Sequence, residues 1–225
     1  MTKTSKLILV GDSAFAEVAF EHFTHDSPYE VVAFSVEADF LKRDSLFNRP
    51  VIAFEMLEQT FNPQDHLVYV AVPYTQLNRL RTRLAQAAKQ KGYRLASYIS
   101  SDACVWPNAQ IGEHCFIFEQ NVVQPFVRVG DNVVLWSGNH VGHHSVIGDN
   151  CFISSHVVIS GFVEIGANCF LGVNSTIINN VKVGKDCWVG PSVTITKDPP
   201  DGTMYRPPRA DVAPISSLIF CGIKS

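Results

Sequence analysis

No apolar run in the 225 residues approaches the roughly 18 to 20 that cross a bilayer as a helix. Met1 to Lys6 leads straight into Leu7-Ile8-Leu9-Val10 with no cleavage signal between them. The expected setting is therefore the cytoplasm, with no membrane partner. Charge is scarce: 17% of residues are Asp, Glu, Lys or Arg, against about 25% in an average soluble domain. Such a shortage points to surface buried between subunits. Basic excess is absent too, with 18 Lys and Arg against 21 Asp and Glu and a net charge of −3. Nothing forms the stripe that follows a phosphate backbone, so nucleic acid is not an expected partner. The six cysteines include no CxxC pair. A chain this long builds a core without disulfides, so they are expected to be reduced thiols.

What the chain has instead is a period. Counting in sixes from Val105 gives Ile111, Ile117, Val123, Val129, Leu135, Val141, Ile147, Ile153, Ile159, Ile165, Leu171, Ile177, Val183, Val189 and Ile195, all of them Ile, Leu or Val. The position after the anchor is often Gly (112, 130, 142, 148, 166, 172, 184, 190), which is expected to turn a sharp corner. The position four after it is usually small, as at Ala109, Cys115, Ser145, Cys151, Cys169 and Ser175. An anchor plus a small residue every six makes one flat side of a triangular prism. Three sides complete an 18-residue coil, and successive coils stack as parallel strands about 4.8 Å apart. The expected fold of this segment is a left-handed parallel β-helix of about five coils. The same register places Cys151, Cys169 and Cys187 in an inward column. A metal site needs thiolates converging in open geometry, so packing is the better reading and no metal is expected.

Residues 1–95 obey other rules. Leu7–Val10, Val31–Val36, Val51–Phe54 and Leu67–Val72 read as strands, and Ser13–Phe23 as a helix with Phe15, Val18, Ala19 and Phe23 on one face. The spacing of Leu77, Leu80, Leu84, Ala87 and Ala88 predicts a helix from Thr75, its cap, to Lys91, ended by Gly92. Strands alternating with helices imply a small Rossmann-like parallel sheet. Gly11-Asp12-Ser13-Ala14-Phe15-Ala16 occupies the phosphate-loop position but carries one glycine where the dinucleotide fingerprint has three, so it argues poorly for NAD. The expected organisation is an α/β Rossmann-like domain over 1–95, a left-handed β-helix domain over 96–200, and a C-terminal tail over 201–225.

This order of parts, with Val141-Gly142-His143-His144-Ser145-Val146-Ile147-Gly148-Asp149 and Asn168-Cys169-Phe170-Leu171-Gly172-Val173-Asn174-Ser175, resembles the bacterial sugar O- and N-acyltransferases related to sialic acid O-acetyltransferase. The likeness runs from about Lys6 to Pro208 and is closest to the UDP-bacillosamine-type amino-sugar N-acetyltransferases. That resemblance implies direct transfer from acetyl-CoA to the amine of a nucleotide-linked sugar, with His143 as the general base. The next residue, usually Asp or Glu in the family, is here His144, which lacks a carboxylate's charge. Phe152 stands where the family places a His near acetyl-CoA, and Trp136 where a small polar residue is expected.

By the same resemblance, residues 1–95 bind the nucleotide-linked sugar and 96–200 carry the acyl transfer, the Gly161 N–H meets the thioester carbonyl, and Val173 and Pro191 meet the pantetheine arm; Lys182, Lys185 and Lys197, near the end of the prism, either meet the coenzyme A phosphates or are only solvated. Ser13, Ala14 and Phe15 match the family's substrate loop, while Glu37 and Tyr74 follow strands, where sheet ends meet ligands, Glu37 and Asp39 standing for an acidic pair; His140 either lines the pocket or stands exposed on the prism wall. A homotrimer follows, with acetyl-CoA between neighbouring prisms. The alternatives are a sugar O-acetyltransferase and a noncatalytic β-helix scaffold. A zinc hydratase similar to the γ-class carbonic anhydrases needs two histidines five apart, which His140, His143, His144 and His156 do not offer. The apolar stretch from Ile215 to Ile223 in the tail is expected to cap a neighbouring surface.

Overall fold

A computed structural model describes residues 2–207 and 209–223. Met1 in the lead-in segment, Pro208 at the end of the stretch carrying the resemblance, and Lys224 and Ser225 in the tail lie outside the described residues. The N-terminal α/β unit runs β1 (Ser5–Val10), α1 (Ala14–His25), β2 (Tyr29–Val36), β3 (Ser45–Leu46), β4 (Arg49–Ala53), α2 (Leu57–Thr60), β5 (His66–Val70), α3 (Arg79–Gln90) and β6 (Arg94–Leu95). Its sheet has the order β3-β4-β2-β1-β5-β6 and is parallel except for the β3–β4 pair. Alternation along β1 explains why the sheet is covered on both sides. Leu7 and Leu9 face one cluster that includes α1, while Ile8 and Val10 face another that includes α3.

From Tyr98 to Tyr205 the chain winds as the expected prism, whose strands are two residues long, and the tail beyond it carries a short helix, α4 (Ser217–Phe220). The first wall stacks Tyr98–Ile99, Phe116–Ile117, Val134–Leu135, Phe152–Ile153, Phe170–Leu171, Trp188–Val189 and Met204–Tyr205. The second stacks Cys104–Val105, Val122–Val123, His140–Val141, Val158–Ile159, Thr176–Ile177 and Thr194–Ile195. The third stacks Gln110–Ile111, Arg128–Val129, Val146–Ile147, Glu164–Ile165 and Lys182–Val183. Every pairing joins residues 18 apart except the last, Trp188 with Met204. The anchors and the four cysteines 115, 151, 169 and 187 fill the interior.

The first wall differs from the others in its outward residues. Tyr98, Phe116, Val134, Phe152, Phe170 and Trp188 form an apolar column that the α/β unit covers, packing Phe15, Phe23 and Tyr69 against it. Aromatic burial of this kind, worth about 1.5 to 3 kcal/mol per side chain, decides which wall carries the unit. The second and third walls present Val122, His140 and Val158, or Arg128, Glu164 and Lys182.

Two local expectations are corrected. The glycines after the anchors do not carry the unusual backbone angles: none of the eight has positive φ. Positive φ falls two residues later, on His114, Asn132, His144, Asn150, Phe162 and their equivalents, at values between 57° and 64°. The glycines are required by the next coil, since a Cβ on Gly142 would lie 2.5 Å from the carbonyl carbon of Ser160. The second correction concerns α3, which starts at Arg79 rather than at Thr75. Gln76, Leu77 and Asn78 all have positive φ, so this stretch is a turn and not a first helical turn.

Candidate active site

Where the second wall turns into the third, the corner column reads Pro125, His143, Gly161, Asn179 and Lys197, each 18 residues beyond the last. Backbone bonds from Phe162 N–H to His143 O (3.0 Å) and from Asn180 N–H to Gly161 O (3.2 Å) hold this register. His143 is exposed, and its ring rests on Gly161: a Cβ there would fall 2.9 to 3.3 Å from Cε1, Nε2 and Nδ1. Its Nδ1 lies 3.2 Å from Nδ1 of His144. The His144 ring is stacked between Phe126, at 4.6 Å and 27°, and Phe162, at 4.9 Å and 16°. Phe162 also meets His143 edge-on at 5.1 Å. Exposed aromatics 18 residues before and 18 residues after it thus clamp the second imidazole, which holds the first. When His143 Nδ1–H donates to His144 Nδ1, Nε2 of His143 is left with a free lone pair.

A second site lies on the α/β unit, at the carboxyl ends of its parallel strands. A cleft of about 730 Å³ is lined by Gly11, Asp12, Ser13, Glu37, Phe40, Gln76 and Arg83, among others. Next to it, a groove of about 440 Å³ is formed by Ser13, Ala14, Phe15, Val18, Pro73, Tyr74, Thr75 and Trp136. The two share Ser13, Pro73 and Thr75. Ser13 is the N-cap of the 12-residue α1 and makes no side-chain cap, so first-turn N–H groups point toward the cleft without that partner. Both oxygens of Glu37 accept from Arg83, at 2.8 and 2.9 Å. That hydrogen-bonded guanidinium holds the carboxyl below the usual carboxylate range. A strand-end carboxylate beside an exposed aromatic, Phe40, matches the needs of a ribose and a planar base.

The residues singled out in the sequence therefore fall into separate groups. Ser13, Ala14, Phe15 and Tyr74 line the groove and Glu37 the cleft, although the Phe15 ring is buried among Tyr69, Phe116, Phe118 and Trp136. His143, His144, Gly161 and Lys197 share the opposite corner of the prism. His140 is half-buried on the second wall. Val173 and Pro191 stand exposed where the first wall turns into the second. Lys185 lies at the remaining corner with its Nζ 3.6 Å from Asp201, and Lys182 pairs with Glu164 at 2.8 Å.

Two of the expected contacts do not fit this geometry. Phe152 is 3% exposed on the first wall, covered by Tyr74 at 5.1 Å and stacked with Phe170. A thioester does not reach it while Tyr74 is in place. The Gly161 N–H is already engaged, donating to Asn179 Oδ1 at 2.9 Å. Sequence reasoning missed Asn179, Arg83 and Gln124, whose Oε1 accepts from the His143 N–H at 2.9 Å. The 18-residue register pointed to Asn179, one coil past Gly161. Nothing in the sequence marked Arg83, since a helix-surface arginine has no register of its own. Among the described residues, no three His, Cys, Asp or Glu side chains converge as metal ligands do.

The family model "Bacterial transferase hexapeptide (six repeats)" matches residues 126–161 and 162–197. No curated protein sequence matches the chain. Among solved structures, it is similar to the acetyltransferase domain of PglB from Neisseria gonorrhoeae, also solved with acetyl coenzyme A. The identity is 26%, covering 91% of this chain and 97% of that one, with a TM-score of 0.80. PerB from Caulobacter crescentus, solved with CoA and GDP-perosamine, matches at 24% identity over 92% and 96% of the two chains with a TM-score of 0.80. WeeI from Acinetobacter baumannii matches at 20% over 89% and 96%, with a TM-score of 0.67. The last two likenesses concern the fold.

Proposed function

We propose that the chain is a hexapeptide-repeat sugar acyltransferase and that it transfers an acetyl group from acetyl-CoA to the amine of a nucleotide-linked amino sugar, using His143 as general base. One observation carries this reading. The same chain holds a cleft of nucleotide size at strand ends and, across the prism, an exposed imidazole seated on a glycine and oriented by a second imidazole. The 26% identity to an acetyltransferase domain solved with acetyl coenzyme A supports the choice of donor.

Residues 1–95 bind the nucleotide-linked sugar, residues 96–200 carry the transfer, and 201–225 form a tail. The first-turn N–H groups of α1 receive the diphosphate, Glu37 the ribose hydroxyls, and the groove under Tyr74 and Trp136 the sugar. Trp136 and the buried Phe15 ring give that groove an apolar floor, suited to a deoxy sugar face. In the reaction the amine nitrogen bonds to the thioester carbon, and the carbonyl electron pair moves to oxygen. His143 Nε2 takes an N–H proton, the C–S bond breaks with its pair going to sulfur, and the proton passes to the thiolate. The products are the N-acetyl sugar and free coenzyme A, with no acyl-enzyme. Lys197, at the end of the His143 column, meets coenzyme A phosphate, while Val173 and Pro191 line the pantetheine path.

The prism stands between the cleft of a chain and its own His143, so each site is composed from two copies. The assembly is a homotrimer, the smallest closed ring with head-to-tail contacts, in which each copy meets two neighbours. Its setting is the cytoplasm, in keeping with six free cysteines. The test is coenzyme A thiol release against nucleotide-linked amino sugars and their hydroxyl analogues. Amine-dependent release supports the reading, hydroxyl-dependent release replaces it with O-acetylation, and no release leaves a scaffold. In the same assay, His143→Ala should lower turnover about 10²- to 10⁴-fold while acetyl-CoA affinity stays nearly constant. An unchanged turnover number removes His143 from the mechanism.

A further inference from the structure

The proposed transfer needs a hydrogen-bond donor for the thioester oxygen as it becomes an oxyanion. The Gly161 N–H does not lie open for that task, because Asn179 Oδ1 accepts it at 2.9 Å. Asn179 is exposed and stands one coil beyond Gly161 in the His143 column. Its carboxamide has one possible orientation here. With the amide reversed, Nδ2–H would face the Gly161 N–H, donor against donor, so oxygen points at the glycine and nitrogen away from it. The Nδ2 group makes no hydrogen bond to any described residue, and its two N–H groups are offered to solvent at the corner. On its other side, the same glycine carries the His143 ring, 2.9 to 3.3 Å from the place a Cβ would take. A free base and an oriented, unengaged donor thus flank one residue.

We propose that Asn179 is a catalytic residue, its Nδ2–H donating to the thioester oxygen and holding the oxyanion. Gly161 then has two tasks, neither of them the expected one. Its missing Cβ makes room for the imidazole, and its N–H anchors the carboxamide. The assignment rests on the acetyl-transfer reading. As the amine adds to the thioester carbon, the oxygen gains the carbonyl electron pair and the Nδ2–H bond shortens onto it. When the C–S bond breaks, the pair returns to the carbonyl and the hydrogen bond weakens. No proton leaves Asn179.

Two substitutions separate this role from that of a cap. Asn179→Asp keeps an oxygen to accept the Gly161 N–H but removes both donors. Asn179→Ala removes the donors and uncovers the Gly161 N–H. If Nδ2 holds the oxyanion, both variants lose about 10²- to 10³-fold in kcat, with KM for acetyl-CoA changed only a few-fold and thermal unfolding of Asn179→Asp near that of the unsubstituted protein. Asn179→Ala turning over at the original rate or faster overturns the proposal and returns the donor role to the Gly161 N–H. Full activity of Asn179→Asp overturns it equally. If the unsubstituted protein releases no coenzyme A with any acceptor, the transfer reading itself fails and this assignment with it, a result distinct from selective loss in the variants.

Discussion

His143 owes its position to one missing atom. A methyl group on Gly161 would sit within 3.0 Å of the ring carbon Cε1 and Nε2, closer than a side chain tolerates. The backbone at Gly161 has no positive φ, so alanine fits the chain there without backbone strain. Gly161→Ala should therefore leave the fold intact and push the imidazole aside. Displacing a base by about 1 Å costs on the order of 10²-fold in rate. A steady-state kcat within twofold of the original, with an unchanged melting temperature, would show that the ring does not depend on this seat. The neighbouring glycines differ in kind. At Gly142 and Gly166 the nearest atoms are backbone of the next coil at 2.5 Å, so alanine there strains the stack itself.

At the scale of elements, the junction between α3 and the prism rests on Asn132. Its Oδ1 accepts from Arg81 Nε at 3.0 Å and from His114 Nδ1 at 2.8 Å. Its Nδ2 donates to Asn150 Oδ1 at 2.8 Å and Thr82 Oγ1 at 3.3 Å. His114 is buried, and its Nε2 accepts from the Val70 N–H in β5 at 2.9 Å. A proton on Nε2 would set two N–H groups against each other. Burial, with the Arg81 cation adding to it, pushes the imidazole down to about 3. Between that value and about 6.5, the ordinary value of a free imidazole, the unfolded chain binds a proton at this residue that the folded chain does not. This contribution to stability is therefore complete above about 6.5 and is lost as pH falls toward 3, at about 1.4 kcal/mol per pH unit. Urea-unfolding midpoints measured from pH 7 to pH 4 should fall accordingly. His114→Leu should be less stable at pH 7, because Val70 N–H loses its acceptor, but less sensitive to acid. Equal slopes for the two proteins would assign the acid sensitivity to other groups.

For the whole molecule, the proposed transfer divides between two places on one chain, the strand-end cleft and the His143 corner, which face away from each other. His143 stands at the corner opposite the first wall, and the α/β unit covers that wall. A chain with His143→Ala and a chain with its groove filled, as in Ala14→Trp, should each be inactive. Unfolded and refolded together in equal amounts, they should recover about a quarter of the original activity, the share of interfaces that pair two intact halves. No recovery, with trimers formed, would mean that cleft and imidazole serve one another within a chain. Light scattering of the unmixed protein tests the trimer directly.

How much of this was legible beforehand follows from the range of each interaction. The hexapeptide period alone determined the prism, its register and the inward column of Cys151, Cys169 and Cys187, because each coil repeats the same steric problem and must solve it with the same residue sizes. The period also brought His143, Gly161, Asn179 and Lys197 into one column. The tertiary structure decided which atoms in that column were already engaged. Asn179 Oδ1 takes the Gly161 N–H, and Tyr74 covers Phe152, through side-chain directions that spacing does not encode. It also decided that the glycines serve close approach while Asn, His and Phe carry the left-handed corners. Placement of the α/β unit over the aromatic first wall depends on surfaces far apart in sequence, and with it the separation of the strand-end cleft from His143. Contacts between neighbours in a repeat can be read from a string of residues; contacts between its faces require the folded body.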